Sequence, residues 1–510
     1  MRLIYNENTK LPSLAWIASV QDGVATVTHG LKVETMDNFF VEGAWEGDFF
    51  TSDFGKAEWF CGTGGVVRGN KITFATPTGM HAGIFLLRNG LRTVLSNSLC
   101  LLMAQEGYEF DSCFVGYEEY FNHNILQGIY KYNPKVHVQK DGKVTEEIQM
   151  ILFRNIVISD DGTVQIDVKP DTKGFDSFEE YYKRLTSTMK KMAENARDDH
   201  RKYKYAVTTF ISSGYDAATC ASVAKECGAE KALTFEAKGK YKNDSGVVAA
   251  KYMGYKTVVE RDAYAYLNRS DFPEVQSISG GDIGNVISFS TFEEDMRDHL
   301  VFSGENGDFV WGKNKSFQTI NDEAHIVWKN SEVGLSESHL HQGYIPVPMT
   351  SYGIRHWTDL FRISNSDEMK QWSIGGDYDR PIPRRILEEK GLPRDSFGMK
   401  KYGVGFFYAY DWKKRILSRM SPVSAKEFEE YLNEHKNTAP IDLYTKFIWT
   451  NKSIFWNTMV TKLRLSKLRV VIPDSEVEKR NAVTNPFAAR YLIPWAGDHM
   501  IRNYKKALEG

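Results

Sequence analysis

Three clusters of residues in this 510-residue chain have types and spacings that could do chemistry. The first is Ser212-Ser213-Gly214-Tyr215-Asp216, set between the β-branched run Val207–Ile211 and an Ala-rich stretch that stops at Gly228. Strand, small-residue turn and helix in that order aim backbone N–H groups and the positive end of a helix dipole at one point. That point suits a polyphosphate. A carboxylate just inside it, Asp216, is useful mainly as a ligand for a metal already bound to phosphate. The second cluster, Ser303-Gly304-Glu305-Asn306-Gly307-Asp308, follows the apolar run Leu300–Phe302 and again puts a carboxylate past a strand end. Asp216 and Asp308 can then share one Mg²⁺ on a triphosphate. The third is the basic pair Lys400-Lys401, inside the segment Arg380–Gly405.

For the two turns to meet, their strands must lie in one sheet. The pattern after Asp176 predicts this. Ser177-Phe178-Glu179-Glu180 is a capping box, and Phe178, Tyr182, Leu185, Met189, Met192 and Ala196 recur at helical spacing to about Asp198. Strands over Tyr205–Ile211, Ala232–Phe235, Thr257–Glu260 and Leu300–Phe302 then alternate with helices over Ala217–Glu226, Asp244–Met253 and Thr291–Arg297, the last with its own Thr-x-x-Glu box. Such alternation predicts a mostly parallel sheet with helices on both faces and ligands at the carboxyl ends of the strands. Beyond Gly312 the chain reads as helical, over Met369–Ser373, Arg384–Lys390, Ala425–Leu432, Leu443–Lys462 and Ala488–Leu508.

Residues 1–170 have a different period. Short runs at Leu14–Val20, Lys71–Ala75, Gly83–Arg88, Thr93–Ser96, Val136–Gln139 and Val164–Val168 predict strands. Asn89-Gly90 and Asp141-Gly142 predict hairpin turns, with helices near Leu99–Gln105 and Tyr117–Asn122. The cluster Pro170–Asp176 marks a boundary, giving a β-rich domain over 1–170 and an α/β domain over 176–510.

Composition excludes several classes. A net charge of −2 without a block of like charges gives no bulk nucleic-acid or membrane surface. No run approaches the roughly 18–20 apolar residues of a membrane helix. Five cysteines without CxxC spacing fit neither a disulfide framework nor a zinc site, and a cytoplasmic protein is expected. Cys220 and Cys227 fall on one helical face as core residues. Asn243-Asp244-Ser245 reads as the cap of the next helix, with contact to ribose or adenine as its alternative, and Gly280-Gly281-Asp282 as a plain turn, with part of a substrate loop as its alternative. Oligomeric state is left open.

Together and in order, the clusters carry a resemblance. SSGYDAA resembles the SGGxDS pyrophosphate loop of N-type ATP pyrophosphatases, and SGENGDFVWG resembles the SGExxDExFGG element of the asparagine synthetase family. RPIPRRILEEKGLPRDSFGMKKYGVG is similar to that family's segment leading to an essential lysine. Phe40–Phe49, Leu95–Leu99 and Tyr120–Gly142 are similar to landmarks of its glutaminase-like domain. The resemblance implies an Ntn-hydrolase-like sandwich followed by an ATP pyrophosphatase domain with a helical C-terminal part. It also implies ATP and Mg²⁺ as cofactors. Ser212, Ser213, Gly214 and Asp216 would hold the ATP phosphates, with Ser303 and Gly304 beside them. Asp216 and Asp308 would ligate Mg²⁺, Glu305 would position or deprotonate the attacking amine, and Lys400 or its neighbour Lys401 would stabilise developing charge.

Departures from the family pattern narrow the reaction. Ser213 replaces the loop's second glycine, Ala217 its terminal serine, and Phe309 the glutamate after the second loop's aspartate. Glutamine-dependent members expose a cysteine after removal of Met1; here the second residue is Arg2 and the first cysteine is Cys61. The expected activity is therefore an AMP-forming ligation of a small-molecule or peptide carboxylate to an amine, without glutamine hydrolysis, similar to β-lactam synthetase and lasso-peptide cyclases. A peptide macrolactam cyclase and an inactive nucleotide-binding homologue are the alternatives.

Overall fold

Alternation of apolar and polar residues builds two stacked sheets from the first third of the chain. The computed structural model describes residues 1–79, 81–114, 116–117, 121, 131–236, 244–282, 287–305, 307–313, 337–376, 378–399, 413–435, 459 and 488–509. One six-stranded sheet contains Arg2–Glu7, Trp16–Gln21, Val24–His29, Ile84–Asn89, Arg92–Ser96 and Gln149–Ile151. The other contains Glu34–Thr35, Phe39–Trp45, Phe60–Arg68, Lys71–Ala75, Arg154–Ser159 and Val164–Val168. Residues two apart (Trp16, Ala18 and Val20; Ile72 and Phe74; Ile84 and Leu86; Ile156 and Ile158) point into one buried layer between the sheets. Strand Phe39–Trp45 is buried on both faces: Phe40 enters that layer, while Phe39, Val41 and Trp45 pack outward against Phe49 and Phe54.

The turn chemistry is local. Asp141 and Gly142 have φ of 50° and 70° between the paired residues Lys140 and Lys143, a two-residue turn of the primed type. The hairpin near Asn89 sits one residue later than expected. Asn89 pairs with Arg92, so the loop is Gly90-Leu91 with Gly90 at φ 60° in the first loop position.

Helix α1 (Leu99–Glu106) starts where the Ser98 hydroxyl accepts from Leu101 N, and helix α2 (Phe178–Ala196) where Ser177 accepts from Glu180 N. In α2 the phase differs by one residue at one turn: Tyr181 is fully buried, and Tyr182 packs only partly against the core. The Tyr182 hydroxyl reaches outward to donate to Glu226.

After α2 the chain forms a five-stranded sheet, every pair parallel, whose strands are numbered here in chain order: β1 (Ala206–Phe210), β2 (Lys231–Phe235), β3 (Thr257–Arg261), β4 (His299–Phe302) and β5 (Ile345–Val347). Their spatial order is β3-β2-β1-β4-β5. Strand β5 has no forerunner in the sequence reading; three residues, one of them Pro346, are too few to show a period. Helix α3 (Tyr215–Glu226) turns Ala218, Ala221 and Ala224 into the main core. A separate cluster holds Leu233 and Val301 against Phe292 and Met296. Phe292 explains why Thr291–Arg297 is not a capped helix. Its buried side chain occupies the cap position of a single turn, Glu293–Met296, and the Thr291 hydroxyl donates back to Ser288 O.

Of the remaining helices, Met369–Ser373 is a 3₁₀ segment over Asp367–Trp372, and helix α4 covers Pro381–Glu389. Pro422–His435 is helical, as is α5 (Leu492–Glu509), which follows a 3₁₀ turn at Ala488–Tyr491. All but Met459 of the expected helix at Leu443–Lys462, and most of Tyr117–Asn122, lie outside the described residues. Among the described residues no helix is long and apolar enough to cross a membrane. All five cysteines are free, and only Cys113 is exposed.

Helix α5 packs back onto the first third of the chain. Tyr504 donates to Glu337 at 2.8 Å, whose other oxygen accepts from Ser98 at the start of α1 at 2.6 Å. Gly497 backs onto Phe110 so closely that a Cβ would stand 2.1 Å from the ring. Replacing a helical glycine by alanine ordinarily gains up to about 1 kcal/mol. Because Phe110 is itself buried, overpacking should win, and Gly497→Ala is expected to lose about 1–2 kcal/mol in urea unfolding. A stabilised variant would contradict this packing.

Candidate functional site at the ends of the central strands

Strands β1 and β4 are neighbours, with Thr209 opposite Phe302, so the turns that follow them leave the sheet side by side. The strand order reverses between these two strands, which is where open α/β sheets place their ligand crevice. After β1 the chain runs through Ser212 and Ser213 to Gly214, whose extended backbone (φ −76°, ψ 159°) caps α3. The first internal bond of that helix is Ala218 N to Gly214 O, so the N–H groups of Tyr215, Asp216 and Ala217 precede its ladder.

The turn is held in shape by its neighbours. Ser212 Oγ accepts from Gly214 N at 3.1 Å, Ser213 N donates to Asp244 O at 3.2 Å, and the Ser213 hydroxyl donates to Asp244 Oδ1 at 3.1 Å. Asp244 therefore braces the loop rather than capping the next helix, whose cap is Gly246. Burial raises the Asp244 carboxyl above its ordinary range, and the Ser213 hydrogen bonds oppose that shift.

The second turn packs directly onto the first. A Cβ on Gly304 would stand 2.5 Å from Ala217 N, and one on Gly307 would stand 2.5 Å from Asp216 Oδ1. Only glycine permits this approach. The turn is fastened from its other side, where Ser303 N donates to Val347 O at 3.1 Å and the Thr350 hydroxyl donates to Glu305 O. Cys220 of α3 donates to Ser303 O at 3.2 Å; it is a buried core thiol, pushed up by burial, and not a nucleophile.

The segment beginning at Arg380 closes the site. Gly398 N donates to Ser213 O at 2.8 Å, and Gly398 lies flat on the Tyr215 ring, with φ 63° and a Cβ position only 2.3 Å from it. At the other end, Arg380 Nη1 donates to both carboxylate oxygens of Asp216, at 2.8 and 2.6 Å. This pairing bears on Mg²⁺. Both Asp216 oxygens face a guanidinium, and a dication about 4 Å from that charge would meet roughly 8 kcal/mol of repulsion at an effective dielectric near 20. As it stands, Asp216 does not fit a metal ligand. Among the described residues no cluster of three or more His, Cys, Asp or Glu side chains could hold a metal.

Beside the second turn lies a cavity of about 50 Å³, walled by Phe210, Phe289, Val301, Pro346 and Pro348 and reached by Glu305. Burial pushes the Glu305 carboxyl up to about 7; the neighbouring Asp282 adds to the rise and the Ser303 hydroxyl opposes it. Gly280-Gly281-Asp282 is thus more than a plain turn, because Asp282 is fully buried. A carboxyl that titrates near neutral pH can accept a proton from an amine.

The structure brings Ser212, Ser213, Gly214, Asp216, Ser303, Gly304 and Glu305 to one sheet edge. The side chain of Asp308, Lys400 and Lys401 lie outside the described residues. The bracing role of Asp244 and the pairing role of Arg380 were not anticipated. Arg380 begins the segment Arg380–Gly405, but nothing in its spacing connects it to a carboxylate so far away in sequence.

No family model matches the chain, and no curated protein matches it. Among solved structures, it is similar to a glutamine-dependent NAD⁺ synthetase from Acinetobacter baumannii in complex with adenosine diphosphate, at 13% identity and a TM-score of 0.21. The match covers 60% of this chain and 54% of that one, so it spans about half of that protein's length. A likeness this slight carries no argument.

The Glu305 carboxyl binds its proton more tightly when folded than at its ordinary value of 4.5. Its contribution to stability is most favourable below pH 4.5 and falls as pH rises towards 7. The urea midpoint of Glu305→Gln should therefore gain on that of the parent protein between about pH 4.5 and pH 7, with the difference levelling off on either side. A pH-independent difference would contradict the buried setting of Glu305.

Proposed function

We propose that the chain is an ATP-dependent, AMP-forming ligase that joins a carboxylate to an amine. The observation that carries this reading is the packing of two small-residue turns at the reversal point of the parallel sheet, one of them opening a helix. A polyphosphate at the start of α3 would meet backbone N–H groups beside Ser212 and Ser213, with Ser303 and Gly304 forming the facing wall. These donors suit a departing pyrophosphate. The sheet and its helices would be the ATP pyrophosphatase domain (176–510), and the stacked sheets (1–170) an Ntn-like domain without glutaminase activity.

In this reading a substrate carboxylate oxygen attacks the α-phosphorus, and the bond from that phosphorus to the pyrophosphate oxygen breaks. The amine nitrogen then attacks the acyl carbon, its proton passes to Glu305, and the carbon–oxygen bond to AMP breaks. Lys400, or Lys401 beside it, would offset charge on the acyl phosphate. The near-neutral Glu305 and its small cavity support the proton-accepting step.

ATP–pyrophosphate exchange across a panel of amino acids and other carboxylates tests the proposal. Exchange is expected with a restricted set of acids, with AMP released once an amine is added. Asp216→Ala should reduce exchange by about a hundredfold or more. ADP as the sole nucleotide product would refute it.

A further inference from the structure

The site carries a cation of its own. Arg380 immediately precedes α4, which begins with Pro381, so the direction in which its side chain leaves the backbone is set by a rigid helix start. Its side chain is 6% exposed. The guanidinium lies 4.6 Å from the centre of the Tyr378 ring, and Arg384, one turn on, donates through Nε to the Tyr215 hydroxyl at 3.0 Å. The adjacent carboxylate, Asp379, is turned away to accept from Ile374 N and Gly375 N, both at 3.2 Å. Arg380 is thereby directed to Asp216. Gly307 packs against the same carboxylate.

We propose that Arg380, and not a divalent metal ligated by Asp216, supplies the positive charge that this loop offers to a polyphosphate, with Asp216 as the positioning residue that holds Arg380 at the start of α3. The inference rests on the reading of that loop as a polyphosphate site. A guanidinium presents five N–H donors in a planar fork, enough to keep a carboxylate while meeting phosphate oxygens. It also remains charged at every working pH, so it needs no cation from solution. A metal at Asp216 would instead require this partly buried pair to break, separating the guanidinium from the carboxylate it meets through both oxygens.

Calorimetric titration of the full chain with inorganic pyrophosphate separates the two arrangements, run once with EDTA and once with excess Mg²⁺. The parent protein is expected to bind pyrophosphate in EDTA, with affinity within about threefold of that in Mg²⁺. Arg380→Gln should weaken binding in EDTA by at least about tenfold. Because Arg380→Gln removes the guanidinium from Asp216, the neutral double variant Asp216→Asn/Arg380→Gln is titrated beside it and should show the same loss. Arg380→Lys, which keeps charge without the fork, should fall between. Binding by the parent protein that appears only with Mg²⁺, and at equal affinity in both Arg380→Gln variants, would overturn the inference while leaving the polyphosphate site standing. Absence of pyrophosphate binding under both conditions would overturn the inference and the underlying reading together.

Discussion

The close approach of two turns sets the rest of the site. Gly304 and Gly307 bring the loop after β4 against Ala217 and Asp216, leaving no room for a side chain at either glycine. That contact exists because β1 and β4 are adjacent parallel strands, so their carboxyl ends face the same way at the same height. A single Cβ in the interface would push the loops apart, and Glu305 would move with its loop. Ser303, Glu305, Ser212 and Asp216 keep their mutual positions through the backbone of this one junction.

Around it, charge is handled by pairing. Asp216 faces Arg380, Asp244 accepts from Ser213, and Arg384 is held by Tyr215 and Glu388. Breaking a buried pair costs roughly 3–5 kcal/mol, well above the worth of a surface ion pair. The segment from Arg380 to Gly398 therefore serves as a brace across the mouth of the sheet. It meets the loop at both its ends, at Asp216 and at Ser213, although it lies far from either in sequence. Glu305 borders a small cavity, where burial pushes its carboxyl up to about 7 against the opposing Ser303 hydroxyl.

Much of this frame was legible in the amino-acid order, for local reasons. Ser177 and Ser98 announce helices because a hydroxyl at the cap satisfies an N–H that the helix cannot. Asp141-Gly142 announces a turn because both residues accept positive φ. The alternation of strands and helices after Asp176 pointed to a parallel sheet, and hence to two strand-end loops sharing an edge. What stayed hidden was non-local or too short. Strand β5 has only three residues and gains its place by pairing with β4. The hydroxyl of Thr291 had a competing acceptor in the preceding turn, and a buried phenylalanine took the cap. The Arg380–Asp216 pair joins residues 164 apart, and no periodicity encodes such a contact.

In the proposed reaction the turn between β1 and α3 receives a nucleotide polyphosphate oriented for attack at the α-phosphorus. A crystal structure of the full chain with a non-hydrolysable ATP analogue tests it most directly. The β- and γ-phosphates are expected at the N–H groups opening α3, between Ser213 and Gly304, with the α-phosphorus turned towards the Glu305 cavity. Phosphates bound elsewhere, or a γ-phosphate pointing at that cavity in a phosphoryl-transfer orientation, would contradict it.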